Sequence, residues 1–87
     1  MEFEWDEKKN RANKSKHGID FSAATKLWND QDRIEIQTNF SAENRNALIG
    51  KIGDKLWTVI FTRRVEAIRI ISVRRARKKE TNLYEQK

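Results

Sequence analysis

Arginines and a single histidine are the residues of this 87-residue chain whose types and positions suit chemistry on a phosphate group. An alternating apolar segment, residues 67–73, runs directly into the basic segment RRARKK at 74–79. Successive strand residues point to opposite faces, so Arg74 is held in a fixed direction where the predicted strand meets a helix. Arginine is planar, permanently charged and able to donate paired hydrogen bonds, which suits phosphate. The alternative is a surface arginine that pairs with Glu80 or another neighbouring acid.

His17 is the one imidazole of the chain. Histidine is the residue type suited to proton transfer near neutral pH, so it suits phosphodiester cleavage. Its place at a predicted helix C-terminus equally suits a capping or packing role, because the helix dipole stabilises a cation there. One histidine without cysteine cannot complete the usual metal ligand sets, and no nucleotide or dinucleotide fingerprint occurs. We therefore expect neither a metal nor another cofactor.

Charge and composition indicate a polyanionic partner without identifying it. The net charge is +6, and the hydrophobic and charged fractions are both 37%. Such a balance favours nucleic acid, while interspersed acids argue against a disordered basic tail. The length predicts a single domain, residues 1–87, with a thin core. No apolar stretch is long enough to span a bilayer, and the N-terminus lacks the order of a signal peptide, so we expect a cytoplasmic protein without a membrane partner.

The order of predicted elements indicates an α+β fold. A short strand at 2–6 precedes a helix at 7–17, capped by Asp6 and closed by Gly18, and a second helix after Asp20. Alternation and turn residues then predict an antiparallel meander with helices on one face. Its strands are 33–38, 45–52, 56–63 and 67–73, with a polar loop at 39–44, turns at 53–55 and 64–66, and a C-terminal helix at 75–86.

Strand alternation also predicts which side chains share the polar face of this sheet. That face would carry Arg45, Lys51, Thr58, Thr62 and Arg74, with Arg69 on the opposite face, unless a β-bulge shifts the parity. Trp5, Trp28, Trp57 and Phe61 are interpreted as core, and Tyr84 is the best candidate for an exposed ring. The glycines at 50 and 53 are interpreted as turn residues.

The first predicted helix has almost no apolar residue and carries a row of cations. A helix with so little core contact must turn most of its surface to water or to a partner. It is either a solvated charged helix or a docking surface for an acidic protein segment. The cations are Lys8, Lys9, Arg11, Lys14 and Lys16.

Several short motifs, in order, resemble the BrnT family of ribonuclease toxins within the wider RelE-like group. The N-terminal half supplies Phe3-Glu-Trp-Asp6 followed by Lys8, Lys16-His-Gly-Ile19 followed by Phe21, and Asp30. The C-terminal half supplies Arg45 ahead of Ile49-Gly50, Arg69-Ile-Ile-Ser-Val-Arg-Arg-Ala76, and Glu80 four residues before Tyr84.

The resemblance implies a toxin that cuts RNA without a metal, restrains translation and is neutralised by a BrnA-type antitoxin. It also implies that operator DNA is contacted only through the toxin–antitoxin complex, and that the fold is RelE-like. Carried over by position, the catalytic residues would be Arg45, Arg74, His17 and Lys8. The RNA-binding residues would be Arg69, Arg75, Arg77, Glu80 and Tyr84.

These side chains suggest a mechanism in which the RNA 2′-hydroxyl attacks the adjacent phosphate. Arg45 and Arg74 would neutralise the charge that builds on the phosphorane, and His17 or a lysine would move the proton. The alternative is a non-catalytic basic module that binds RNA or the ribosome, with the same arginines holding phosphates and His17 in a structural role.

Overall fold

The computed structural model describes residues 1–38 and 44–86, and within them the fold is α+β as predicted. Residues 39–43 of the predicted loop lie outside the described part. The second predicted helix passes into a 3₁₀ helix at Thr25–Asn29. The elements are β1 (Phe3–Glu4), α1 (Glu7–His17), α2 (Phe21–Ala24), β2 (Ile34–Gln37), β3 (Arg45–Ile52), β4 (Lys55–Arg63), β5 (Ile68–Arg75) and α3 (Lys78–Glu85).

The ends of α1 follow from its capping residues, as the sequence predicts. The Asp6 carboxylate accepts a hydrogen bond from the Lys8 backbone N–H at 2.8 Å, which satisfies one of the free donors of the first turn. Gly18 closes the helix with a φ of 78°, in the left-handed region. Asp20 likewise caps α2 by accepting from the Ala23 N–H at 2.8 Å.

The five strands form one sheet in the order β1-β5-β4-β3-β2. Strands β2 to β5 make the predicted antiparallel meander, and β1 adds to it in parallel beside β5. The hairpin between β3 and β4 turns at Gly53, whose φ of 63° suits glycine. Gly50 lies inside β3, so its interpretation as a turn residue is wrong.

One face of the sheet, here called the first face, carries the main core. Leu48, Val59 and Val73 project from it and are fully buried against Phe21 and Leu27. Antiparallel partners share a face, so residues between these positions belong to the second face. Trp5, Trp28 and Phe61 pack at the core as predicted, in edge-to-face pairs with Phe3, Phe21 and one another whose centroids are 4.9–6.0 Å apart.

Helix α3 packs on the second face, which contradicts the prediction that the helices share one face. The Glu80 side chain contacts Thr58 and Arg74, both of which project from the second face. The helix begins at Lys78 instead of 75, because Arg74 and Arg75 continue the ladder of β5 beside β4. Leu83 of α3 is exposed, and Tyr84 is the buried residue that anchors the helix.

A β-bulge in β5 overturns the predicted direction of Arg69. The register pairs Ile60 with Ser72 but Phe61 with Ile70, so β5 contains one extra residue at this point. An extra residue reverses the parity of everything beyond it. Arg69 therefore pairs with Thr62 on the second face, the face that also carries Arg74.

Helix α1 lies along the edge of β5 and is held there by Asn13. The buried Asn13 amide donates to the Val73 carbonyl at 2.8 Å and to the Ile19 carbonyl at 3.0 Å. Its oxygen accepts from the Val73 N–H at 3.1 Å. The side chain thereby replaces a neighbouring strand where β1 has ended, and it protects the exposed edge. Ala12, the expected apolar contact, is exposed.

Candidate phosphate-binding site

Two arginines flank Thr62 in a line across the second face, here called the arginine row. Arg45 on β3 and Arg69 on β5 are both the register partners of Thr62 on β4. Neighbouring antiparallel strands are about 5 Å apart, so the two Cα atoms are separated by roughly 10 Å. Thr62 itself is buried and donates its hydroxyl to the Asn44 carbonyl at 3.0 Å. Arg45 and Arg69 therefore project from the same face on either side of Thr62.

A single contact engages Arg69 at the outer end of the row. Its Nη1 lies 3.0 Å from a carboxylate oxygen of Glu4, with side-chain exposures of 34% and 43%. Exposed pairs of this kind contribute at most about 1 kcal/mol and are screened by salt. Glu4 therefore orients Arg69 without preventing it from binding another anion.

Arg74 belongs to a second group, in which the carboxylate of Glu80 is surrounded by donors. The guanidinium binds both Glu80 oxygens, at 2.8 and 2.9 Å. The Thr58 hydroxyl donates to the same carboxylate at 2.9 Å and the Arg77 backbone N–H at 2.7 Å. The pairing of Arg74 with Glu80, raised as an alternative from the sequence, is thus confirmed, but the pair is mostly buried, with exposures of 21% and 15%.

Glu80 carries a negative charge across the physiological pH range. Burial acts to raise the pKa of Glu80. This effect is outweighed by the hydrogen bonds that the carboxylate accepts from Arg74, the Arg77 N–H and Thr58, and by the positive charge of Arg74. Together they lower the pKa from 4.5 to about 2. An ionised carboxylate repels phosphate. Glu80, predicted to bind RNA, therefore cannot do so by contacting a backbone phosphate directly.

The arginine row and Arg74 lie on one face but at different positions along it. Arg74 is the partner of Thr58, four residues from Thr62 on β4. At about 3.4 Å per strand residue this places Arg74 roughly 14 Å along the strand from the row. The two arginines proposed to act on one phosphorane, Arg45 and Arg74, therefore share a surface without being neighbours.

Lys8 and His17 occupy opposite ends and opposite sides of α1. Nine residues separate them, which corresponds to about 14 Å of rise and two and a half turns. His17 lies one turn beyond Asn13 and so faces the edge of β5, half-buried, toward the end of the strand that carries Arg74. Lys8 is exposed on the outer side. Of the two predicted proton carriers, His17 is the one that faces the sheet.

The remaining predicted RNA ligands are distributed around α3. Arg75 projects from the first face of the sheet, with its guanidinium 5.5 Å from the Trp57 ring centroid. Arg77 is exposed at the N-cap of α3. Tyr84 is 9% exposed and donates to Asp30 at 2.7 Å, so the prediction that its ring is exposed is wrong. Burial and the bond to Asp30 raise the pKa of Tyr84 to about 12.

Three residues of this region were not singled out by the sequence as contacts of the site. Thr58 binds the Glu80 carboxylate, Glu4 pairs with Arg69, and Asn13 fixes α1 beside β5. Thr58 was placed on the correct face by alternation, but no motif indicated its partner. Across residues 1–38 and 44–86, no group of three His, Asp or Glu side chains could hold a metal ion. In the same part of the chain, no helix is long and apolar enough to cross a membrane.

Comparison with protein families gives a match over most of the chain. The family model described as the ribonuclease toxin, BrnT, of type II toxin–antitoxin systems matches residues 5–80. This range includes both the arginine row and the group around Glu80. No curated protein sequence matches the chain at a significant level.

Proposed function

The chain belongs to the BrnT family of ribonuclease toxins of type II toxin–antitoxin systems, and on that premise we propose that it cleaves RNA on the second face of its sheet. The observation that carries the proposal is the placement of Arg45, Arg69 and Arg74 on that one face. Together they form a cationic track about 14 Å long, suited to the backbone of a single strand.

We assign different roles to the two ends of the track. Arg45 and Arg69 hold a backbone phosphate above Thr62, because their spacing lets both guanidinium groups reach one anion. Arg74, at the other end, contacts the phosphate that is attacked, and His17 at the nearby edge of β5 moves the proton. Lys8 is left out of this arrangement, since it lies on the outer side of α1.

The reaction is a metal-independent transesterification. His17 takes the proton of the ribose 2′-hydroxyl, and the 2′-oxygen attacks the adjacent phosphorus. The bond from phosphorus to the 5′-oxygen of the next nucleotide then breaks, and that oxygen takes a proton from water while His17 returns its own proton to solvent, giving a 2′,3′-cyclic phosphate and a 5′-hydroxyl. Arg74 stabilises the extra negative charge of the phosphorane through paired hydrogen bonds.

Incubation of the purified chain with RNA in EDTA tests this function. We expect fragments with 2′,3′-cyclic phosphate and 5′-hydroxyl ends, and no cutting of the same sequence made as DNA, which lacks the nucleophile. RNA that is bound but left intact would support a non-catalytic binding module instead. Cutting of DNA at a similar rate would exclude the 2′-hydroxyl route.

The roles of the two ends are separated by kinetics. Arg45→Ala is expected to weaken RNA binding and to reduce its salt dependence by about one phosphate contact, with a smaller effect on the single-turnover rate at saturation. His17→Asn is expected to lower that rate and remove the limb of its pH profile that reports the imidazole. A pH profile that His17→Asn leaves unchanged would exclude His17 as the proton carrier.

We further propose that the antitoxin is of the BrnA type and that it docks an acidic segment on α1. Lysine and arginine side chains cover the outer surface of this helix, and all five of the cations named above are exposed. Exposed charges of one sign attract an oppositely charged partner and accelerate its binding. The same pairing in the cytoplasm would restrain the toxin until the antitoxin is lost.

Charge reversal tests this surface better than deletion, because Asn13 makes α1 part of the fold. Lys9→Glu with Arg11→Glu is expected to slow association with the antitoxin at least tenfold at low salt. Reversal of Lys55 and Lys79, on other elements, provides a matched control. Equal slowing in both variants would show that the association rate depends on the net charge of the chain and not on the surface of α1.

A further inference from the structure

The donors around Glu80 form an anion-binding site that the chain fills with its own carboxylate. Arg74 presents two parallel N–H groups, Thr58 a hydroxyl, and Arg77 a backbone N–H at the start of α3. A guanidinium fork, a hydroxyl and a helix N-terminal N–H are the groups that bind phosphate in proteins. The Glu80 oxygens Oε1 and Oε2 stand where two non-bridging phosphate oxygens would be received.

Occupation by Glu80 changes what Arg74 can do. Both of its terminal nitrogens already bind the carboxylate, and Nη1 also donates to the Arg75 carbonyl at 3.3 Å. Arg69 in the arginine row is held less firmly, because its contact with Glu4 is single and exposed. Of the two arginines that β5 places on the second face, Arg74 is therefore the one more firmly occupied by a carboxylate.

We propose that Glu80 is an intramolecular competitor for the RNA phosphate, so that Arg74 engages RNA only when the Glu80 side chain releases it. This inference rests on the proposed function, since it names Arg74 as the group that meets the attacked phosphate. RNA binds at the arginine row, and another phosphate of the same strand competes with Glu80 for Arg74. Anchoring of Glu80 on α3 through Thr58 and Arg77 sets how often Arg74 is available.

Binding of an RNA that cannot be cut isolates the competition from catalysis. The probe is a short oligonucleotide with 2′-O-methyl groups, which lacks a free nucleophile. If Arg74 is available only a tenth of the time, Glu80→Gln tightens binding of this probe roughly tenfold. Glu85→Gln removes the same charge from an exposed position of α3 and is expected to produce a much smaller gain.

Two further variants keep the proposal testable if Glu80→Gln folds poorly. Thr58→Val loosens the hold on Glu80 without changing net charge, and it is also expected to tighten binding. Arg74→Ala combined with Glu80→Gln removes both members of the pair and leaves no unpaired buried charge. This double variant is expected to lack the tighter oligonucleotide binding of Glu80→Gln alone. Circular dichroism confirms that each variant is folded before binding is measured.

The outcomes separate this inference from the proposed function. Equal affinities for wild type, Glu80→Gln and Thr58→Val would overturn the competition, whether or not the wild type cuts RNA. A gain that persists in the double variant would also overturn it, because Arg74 would not be the group released. Tight binding in Glu80→Gln by a chain that never cuts RNA would instead contradict the catalytic proposal and leave the competition standing.

Discussion

The ionised Glu80 predicts a specific pH dependence of stability. Its pKa is lowered from 4.5 to about 2 in the folded chain. A difference of this size corresponds to about 3 kcal/mol of folding free energy at neutral pH. Because the folded pKa is depressed, this contribution is complete above pH 4.5 and is lost as the pH falls toward 2. The side chain is only 15% exposed, so screening by solvent removes little of it.

Glu80→Gln is therefore expected to lower the free energy of unfolding by up to about 3 kcal/mol at pH 7. The loss is smaller by the amount of stabilisation that the new amide keeps through its own hydrogen bonds. The difference from wild type is expected to shrink below pH 4.5 and to vanish near pH 2. Urea titrations at pH 7, 4 and 2.5, followed by the fluorescence of the three tryptophans, measure it. Glu85→Gln is the matched control. A difference that is the same at pH 7 and pH 2.5 would refute the reasoning, because the loss would then not come from the charge.

Two other substitutions test how the chain positions the site. Asn13→Leu removes three buried hydrogen bonds, to Val73 and Ile19. At about 1 kcal/mol for each bond, the free energy of unfolding in urea is expected to fall by roughly 3 kcal/mol. A loss smaller than that of one hydrogen bond would show that Asn13 does not hold α1. Gly50→Ala places a methyl group 3.1 Å from Leu27 Cδ2 and 3.3 Å from the Leu27 carbonyl oxygen. The free energy of unfolding is therefore expected to fall by about 1–3 kcal/mol in the same assay. An unchanged urea midpoint would show that the 3₁₀ helix moves away to accommodate the methyl group.

Local chemistry allowed most of the fold to be predicted from the sequence. Asp6 and Gly18 mark the ends of α1 because capping depends on residues within one turn. Strand alternation and the glycine at 53 located the strands β3 and β4 and their turn, since both signals are also local. The confirmed α+β class follows from this order of elements.

The features that the sequence did not reveal depend on contacts between distant segments. The bulge that turns Arg69 to the second face has no glycine or proline to mark it. The docking of α3 on that face depends on Glu80 meeting Thr58, 22 residues earlier in the chain. Neither spacing nor alternation encodes such a contact, so the sequence placed Arg69 on the wrong face and did not reveal the distance between Arg45 and Arg74.

The link between α1 and β5 was hidden for a different reason. A lone asparagine in a polar helix has the same pattern as a solvated residue, and it becomes structural only because the edge of β5 is left open beyond β1. The predicted scarcity of apolar contacts on α1 was correct. What replaces them is a polar anchor, which hydrophobic periodicity cannot detect.

The rate of RNA cleavage by Arg74→Lys tests the central claim most directly. Lysine keeps the positive charge beside Glu80 but loses the planar pair of donors, so the single-turnover rate is expected to fall on the order of 10²-fold. Arg75→Lys, the same change one residue along on the opposite face, is expected to stay within a few-fold of wild type. Equal rates for both variants would contradict the assignment of the reaction to the second face.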